Sequence, residues 1–133
     1  MNPELIVAAA RAWIGTPYRH LSATRGAGCD CLGLVRGVWR DLYGTLPPVP
    51  NYRPDTRDHR DLLAAAEARL APADRVAGSI VLFRLGALPR HCGILVGEAR
   101  FIHAQERLGV VEANLTEGWA KRIVGCFAFP EAN

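Results

Sequence analysis

The spacing of apolar residues changes part-way along the chain, from a helical period to an alternating one. Up to about Leu70 the apolar positions recur every three or four residues, which is typical of amphipathic helices. From Ser79 onward they form short runs rich in β-branched residues and separated by turn residues, which is typical of strands. Helices followed by strands predict an α+β domain with an antiparallel sheet.

The first predicted helix begins at Asn2, a capping residue, and Pro3, which suits the first helical position. Its apolar face is predicted to consist of Leu5, Ala9, Ala12 and Trp13. The Gly-Thr-Pro run at 15–17 should end this helix, and the polar, glycine-containing segment 18–28 is expected to be a loop.

A second helix is predicted from Cys31 to Tyr43, with Asp30 as its N-cap and Gly44 as its stop. Its inward stripe is predicted to be Leu34, Val35, Val38 and Leu42. Gly33 and Gly37 lie inside this helix, each at a cost of about 1 kcal/mol relative to alanine. Two such residues, four positions apart, indicate that another element packs closely on that face.

The remaining elements follow from proline content and from the change of period. Four prolines predict an extended loop at 46–56, and a helical period predicts a third helix at 58–70. The inward residues of this helix are predicted to be Leu62, Leu63, Ala66 and Leu70. Strands are predicted at 79–83, 92–96, 101–104, 109–112 and 123–129.

Composition narrows the class of protein. The 133 residues, half of them apolar, predict one domain spanning 1–133. The net charge is +3, but the basic residues are scattered, so no specific binding of nucleic acid is expected. The N-terminal segment lacks the features of a secretory signal, and no apolar run approaches the ~18 residues that span a bilayer. We therefore expect synthesis in the cytoplasm without a signal peptide, and no membrane insertion.

The cysteines at the start of the second helix are candidates for chemistry. The first turn of a helix stabilises a thiolate through its free N–H groups and its dipole, which makes Cys31 the candidate nucleophile. Such a nucleophile needs a neutral imidazole and a third group that orients the imidazole. His91 and His103 flank a predicted hairpin and are the candidates for these two roles, whereas His20 and His59 are expected on the surface.

Hairpin parity tests whether the two histidines can meet. With a three-residue loop, the opposed pairs are Ile94 with Ile102, Leu95 with Phe101 and Gly93 with His103. His91 then lies diagonally from His103 on the same face, roughly 7–8 Å away between backbones. A two- or four-residue loop puts the histidines on opposite faces.

Two alternatives use the same cysteines differently. Cys29, Cys31, His91 and Cys92 supply four soft ligands for zinc, although the one-residue spacing is shorter than usual and neighbouring strand residues point apart. A redox pair of Cys29 and Cys31 is the second alternative. Cys92 and Cys126 lie in apolar strands and are expected to be core residues, and we expect all four cysteines to be free thiols.

Four segments, in order, resemble one family. Asp-Cys-Leu-Gly-Leu-Val at 30–35 resembles the Asp-Cys-Ser-Gly-Leu/Phe-Val signature of NlpC-type cell-wall cysteine peptidases. Residues 91–94 and 101–104 resemble the family's His-Val-Gly-Ile and Phe-Ile-His-Ala blocks. Gly-Thr-Pro-Tyr at 15–18 is similar to its Gly-x-Pro-Tyr segment, and 79–83 resembles the strand before the catalytic histidine.

The resemblance implies a papain-like (NlpC-type) fold, with N-terminal helices packed on a central antiparallel sheet. It implies that Cys31 is the nucleophile, His91 the general base and acid, and His103 the orienting residue, without a metal or other cofactor. Asp30 and Tyr18 match positions that contact the free amine of the peptidoglycan stem peptide and line the site. The reaction implied is hydrolysis of a stem-peptide bond, typically D-Glu to diaminopimelate.

Two features bear on substrate and delivery. Leu32 stands where many family members have a serine that is implicated in recognising the amine. The compact length and the ending from Val111 through Trp119 to Phe129 resemble the tail-associated branch of phages and gene transfer agents. That branch implies a tail-tip or hub protein as partner and action on the recipient's periplasmic cell wall. Because partners usually bind apolar and aromatic patches, we expect docking through loop 46–56 or the C-terminal tail near Trp119.

Two other functions remain open at this point. The chain could be a non-catalytic tail-tip module that binds the wall or has a structural role, or it could carry out another acyl transfer, such as an amidase reaction, on the same fold. A pure binding module has no need of a complete set of Cys31, His91 and His103.

Overall fold

The computed structural model describes residues 1–45 and 60–131. The helices are α1 Pro3–Arg11, α2 Cys31–Tyr43, α3 Arg60–Arg69 and α4 Glu117–Ala120. The strands are β1 Ala23–Thr24, β2 Gly28–Cys29, β3 Ile80–Leu85, β4 Leu88–Leu95, β5 Arg100–Gln105, β6 Gly109–Asn114 and β7 Ile123–Phe127. The predicted loop at 46–56 and the predicted start of the third helix lie outside the described residues.

The central sheet of the described chain is antiparallel and has the strand order β6-β5-β4-β3-β7. The predicted α+β class and the five predicted strands are confirmed, although β4 begins at Leu88, four residues earlier than predicted, and β7 ends at Phe127, two residues earlier. The short strands β1 and β2 pair with each other, so the expectation that 18–28 is loop throughout was wrong. Strands of two residues are too short to show an alternating pattern, so the sequence carries no signal for them.

Helix α2 has the predicted bounds and ends at Gly44, whose φ of 84° is the left-handed C-cap conformation. A Cβ added at Gly33 would lie 1.9 Å from the carbonyl oxygen of Ser22, and one added at Gly37 would lie 2.1 Å from the ring of Trp13. The predicted close packing is therefore confirmed. The segment before α2 and the residues after α1 both rest directly on the helix backbone.

Helix α1 has its predicted cap, because the Asn2 side chain accepts a hydrogen bond from the N–H of Glu4 at 2.8 Å. Its predicted apolar face was wrong for Leu5, which is 56% exposed, and for Ala12, which is exposed as well. It is confirmed for the fully buried Trp13, just beyond the helix, and for the partly buried Ala9. The helix also buries Ile6, Val7 and Ala10. Apolar residues fill nearly every position from 5 to 10, so the period alone does not select a face.

The buried side chains form two clusters. The helix-side cluster joins α1, α2 and the sheet, and among its members are Ile6, Trp13, Cys29, Leu34, Val38, Leu82, Cys92, Ile94 and Ile102. The aromatic cluster consists of Val81, Phe83, Leu95, Phe101 and Leu115. Neighbouring residues of β3 and β4 belong to different clusters, as the alternation of a strand requires.

Helix α3 rests on the helix-side cluster. Leu63, Ala66 and Leu70 are partly buried against this cluster, as predicted, while the side chain of Leu62 lies outside the described part. None of the helices described is long and apolar enough to cross a membrane.

Candidate active site

The start of α2 is held by Asp30. One carboxylate oxygen of Asp30 accepts the N–H of Gly33 at 2.7 Å, and the other accepts the N–H of Leu21 at 2.8 Å. Burial raises the pKa of the Asp30 carboxyl, and these two N–H donors oppose the rise. The predicted N-cap is confirmed, and the same side chain ties the preceding loop to the helix. The exposed ring of His20 lies 3.8 Å from the carboxylate through Nδ1.

Cys31 is the first residue of α2, and its sulfur faces β4. Sγ lies 3.9 Å from the carbonyl oxygen of Arg90. A hydrogen bond from the thiol of Cys92 contributes most to holding the pKa of Cys31 well below its usual range, against the effect of burial. Hydrogen bonding and charge from His91, and the backbone N–H of Cys92, lower the pKa of Cys31 further.

Cys29 differs sharply from Cys31 although one residue separates them. Cys29 is fully buried, and burial, followed by the negative charges of Asp30 and Cys31, raises its pKa to about 12. Burial also raises the pKa of Cys126. All four cysteines lie within the described residues as free thiols, and Cys31 is the one among them that its surroundings favour as a thiolate.

The two histidines meet as hairpin parity predicts. The observed pairs Ile94 with Ile102 and Leu95 with Phe101 match the predicted register. The N–H of Val96 donates to the carbonyl oxygen of Arg100 at 3.0 Å and closes the loop. His91 Nε2 lies 2.7 Å from His103 Nδ1, and both side chains are buried.

Burial determines the protonation of His103. Desolvation, followed by the charge of His91, lowers the pKa of His103 to about 4, so His103 is neutral at pH 7. Its Nδ1 shares one hydrogen bond with Nε2 of His91. In the tautomer in which Nε2 of His91 carries the proton, Nδ1 of His103 accepts this bond, and Nδ1 of His91 is left for the sulfur of Cys31.

Trp119 is a neighbour of the site that sequence reasoning missed. Its ring centroid lies 5.6 Å from that of His91 and 5.4 Å from that of His103. It also packs on Phe83 and Phe101, with centroids 4.9 and 5.4 Å away. The ring is partly buried against the aromatic cluster, and docking of a partner near Trp119 stays a prediction. A lone tryptophan in a four-residue helix carries no pattern that places it beside distant histidines.

The other predicted site residues lie at the edge of this arrangement. Tyr18 is half-buried, and its backbone forms an isolated parallel bridge with Cys29, which brings it near the start of α2. Leu32 is half-buried in the first turn of that helix, and His59 lies outside the described residues.

The zinc alternative requires that the side chains of its candidate ligands lie close together. In the described ranges 1–45 and 60–131, no three His, Cys, Asp or Glu side chains are grouped so as to hold a metal ion. Cys29 lies in the helix-side cluster, whereas the ring of His91 stacks on Phe83 of the aromatic cluster. The geometry thus brings Cys31 to an imidazole pair and does not form a four-ligand zinc site.

Comparison with known proteins places this geometry in a family. Residues 15–127 match the model of the NlpC/P60 family. The chain belongs to the NlpC/P60 family. The resemblance seen in the sequence is confirmed at this level, while membership of the tail-associated branch stays a prediction.

Relatives and solved structures agree with this assignment. The chain is 32% identical over 111 residues to the murein DD-endopeptidase MepS/murein LD-carboxypeptidase of Escherichia coli (strain K12), covering 83% of this chain and 54% of that protein. It is 30% identical over 129 residues to the gamma-DL-glutamyl hydrolase of Bacillus subtilis (strain 168), covering 93% of this chain and 29% of that protein. The chain therefore spans about half the length of the first relative, and less of the second.

A solved structure shows the same fold. The NlpC/p60 domain of the peptidoglycan hydrolase SagA aligns with a TM-score of 0.69 at 22% identity, over 97% of this chain and 100% of that one. The predicted papain-like α+β fold, with helices packed on an antiparallel sheet, is thereby confirmed.

Proposed function

We propose that the chain is a cysteine peptidase that hydrolyses a peptide bond in the stem peptides of peptidoglycan. The observation that carries the proposal is the arrangement of three side chains. Cys31 lies at a helix start, its pKa is lowered in part by His91, and His91 Nε2 lies 2.7 Å from His103 Nδ1. These observations support the role of nucleophile for Cys31, of base for His91 and of orienting group for His103.

Each side chain has a defined step in this reaction. The Cys31 thiolate attacks the carbonyl carbon of the scissile bond, and His91 gives a proton to the departing amine, which leaves a thioester. His91 then takes a proton from water, the hydroxide attacks the thioester, and the product carboxylate leaves Cys31. Neutral His103 holds the ring of His91 through both steps.

The substrate class is supported by the relatives. One relative is named a murein DD-endopeptidase/murein LD-carboxypeptidase and another a gamma-DL-glutamyl hydrolase, at 32% and 30% identity. We propose the bond from D-Glu to diaminopimelate, with Asp30 and Tyr18 contacting the free amine of the stem peptide. Leu32 has no hydroxyl, unlike the serine that many family members have at this position. Recognition of the amine therefore depends more heavily on the Asp30 carboxylate.

The test is product analysis on purified, diaminopimelate-containing peptidoglycan. Digestion with the wild-type chain should yield fragments with a new free amine on diaminopimelate, identified by liquid chromatography and mass spectrometry. Cys31→Ala protein is the matched control and should yield none. Release of intact stem peptides from the sugar indicates an amidase, and binding without any product indicates a wall-binding module.

We further propose that the chain is carried in the tail tip of a phage-like particle and opens the recipient's wall during entry. Support comes from the resemblance of the segment from Val111 to Phe129 to the tail-associated branch. A tail-tip or hub protein is the proposed partner. Mass spectrometry of purified particles should detect the chain. Detection only as free protein in lysate, with particles that enter cells equally well without it, supports a soluble lysis enzyme instead.

A further inference from the structure

An exposed histidine lies beside the buried carboxylate of Asp30. Asp30 directly precedes Cys31, and its side chain is 7% exposed, whereas the side chain of His20 is 55% exposed. The distance from His20 Nδ1 to Asp30 Oδ2 is 3.8 Å, which is too long for a direct hydrogen bond between the two atoms. A ligand that binds Oδ2 therefore has the exposed ring of His20 as a neighbour.

A tight turn holds His20 in this position. The N–H of Ser22 donates to the carbonyl oxygen of Arg19 at 3.2 Å, so these two residues are the ends of a β-turn with His20 and Leu21 at its centre. Leu21 has a φ of 64°, a left-handed conformation that glycine or asparagine usually occupies at this place in a turn. The N–H of Leu21 donates to Asp30 Oδ2 at 2.8 Å, and the N–H of Asp30 donates to the carbonyl oxygen of Ser22 at 3.3 Å. The turn is thus bound to Asp30 at two points, which gives His20 a defined place beside the carboxylate.

The facing atoms of His20 and Asp30 can both accept from one cation. Oδ2 of Asp30 accepts the N–H of Leu21 and has a second lone pair, and a neutral imidazole has one ring nitrogen that accepts. The hydrogens of an ammonium group diverge, so a single ammonium can donate to two acceptors 3.8 Å apart at about 2.8 Å each. The gap between the two side chains therefore has the size and the chemistry of an ammonium site.

We propose that His20 is a specificity-determining residue, whose neutral imidazole and the Asp30 carboxylate together bind the free ammonium group of the stem peptide. The proposal rests on the proposed function and adds a side chain to substrate recognition. Leu32 lacks the hydroxyl that many family members have at its position, and the ring of His20 supplies a second acceptor beside Asp30. An acetylated amine has a single neutral N–H and no charge, so this pair favours a free amino terminus.

The test compares a stem peptide that has a free amino terminus with the same peptide after N-acetylation. Assays are run at about pH 7, where an exposed imidazole is mostly neutral and an α-amino group is mostly charged. Wild type should have the lower KM for the free-amine peptide. His20→Ala should raise that KM about tenfold, since it removes an acceptor for a charged donor. It should keep kcat within about twofold and leave the KM for the acetylated peptide unchanged.

Further variants separate recognition from a structural role. His20→Asn keeps an acceptor and should recover part of the lost affinity, whereas His20→Lys places a fixed cation beside Asp30 and should raise the KM more than His20→Ala does. Leu21→Ala changes the neighbouring side chain, keeps its backbone N–H and should leave the KM unchanged. Equal KM values for the two peptides in wild type, or an unchanged ratio in His20→Ala, overturn the proposal. An equal rise for both peptides overturns it as well, because the loss then comes from loosening of the turn.

Binding without turnover separates this inference from the proposed hydrolysis. Calorimetric titration of Cys31→Ala protein with each peptide measures affinity, and adding His20→Ala should weaken binding of the free-amine peptide alone by about tenfold. If wild type cleaves neither peptide while this difference in binding is found, the proposed function fails and the role of His20 stands. If His20→Ala leaves the binding of both peptides unchanged, the role of His20 fails whether or not wild type cleaves them.

Discussion

The helix-side cluster and the aromatic cluster contribute opposite halves of the site. The first is mainly aliphatic and contains Cys92, with Cys31 packed against it, whereas the second surrounds His91 and His103 with aromatic rings. Cys31 packs on the first cluster and interacts with an imidazole that lies against the second. The difference teaches that the nucleophile is stabilised by hydrogen bonding and a helix start, while the orienting residue His103 is kept neutral by desolvation.

The largest effect should come from removing the nucleophile on the helix side. Cys31→Ala should lower the rate of peptidoglycan hydrolysis by at least about a thousandfold, because no other side chain can form the thioester. Cys29→Ala removes a sulfur of the same cluster and should keep most of the activity. The measurement is release of stem-peptide fragments. A similar loss in both variants would contradict the assignment of Cys31.

The second-largest effect should come from His103, which orients the proposed base His91. His103→Ala should lower the hydrolysis rate by about a hundredfold, since the ring of His91 loses the acceptor that sets its tautomer. His103→Gln offers a side-chain oxygen as acceptor and should recover part of the rate. Initial rates at saturating substrate measure this. Equal rates in wild type and His103→Ala would show that His91 acts without an orienting partner.

Stability should depend on pH through the same residue. The folded-state pKa of His103 is lowered from 6.5 to about 4, so the unfolded chain binds the proton first as pH falls. The free energy of unfolding should therefore decrease from about pH 6.5 down to about pH 4, by roughly 3 kcal/mol from this group. Urea unfolding across this range measures it, with His103→Gln as control. A parallel decrease in wild type and His103→Gln would contradict the prediction.

The smallest effect tests whether the aromatic cluster shields the two histidines from water. Trp119 is partly buried on that cluster, so Trp119→Ala should lower the free energy of unfolding by about 2 kcal/mol. It should also admit water beside the histidines and raise the pH at which His103 titrates, which nuclear magnetic resonance of the ring protons can follow. Trp119→Phe should change both quantities less. A titration that does not move in Trp119→Ala would restrict this residue to a packing role.

Local rules explain why much of the site could be predicted. The bounds of α2 depend on Asp30 and Gly44, and both act within a few residues through capping and a left-handed turn. The meeting of His91 and His103 depends on the length of one loop, because strand parity decides which side chains share a face. Interactions of this kind are contained in short stretches, so a pattern of residue types suffices to predict them.

Other parts of the site depend on contacts between distant segments. The buried face of α1 was predicted only in part because several faces of that helix are apolar, and docking of Trp13 on Gly37 selects one of them. The contact of Trp119 with the histidines depends on the path of the chain from β6 through α4 to β7. Neither contact has a local pattern, because each partner alone resembles an ordinary packing residue.

The sequence by itself determined the order of elements, the caps of α2 and the register that aligns His91 with His103. Only the tertiary structure decided which residues the start of α2 meets on the sheet and that Trp119 packs beside the two histidines. The physical reason is the range of the interactions. Capping and strand parity act over a few residues, whereas burial and desolvation exist only after helix and sheet have packed.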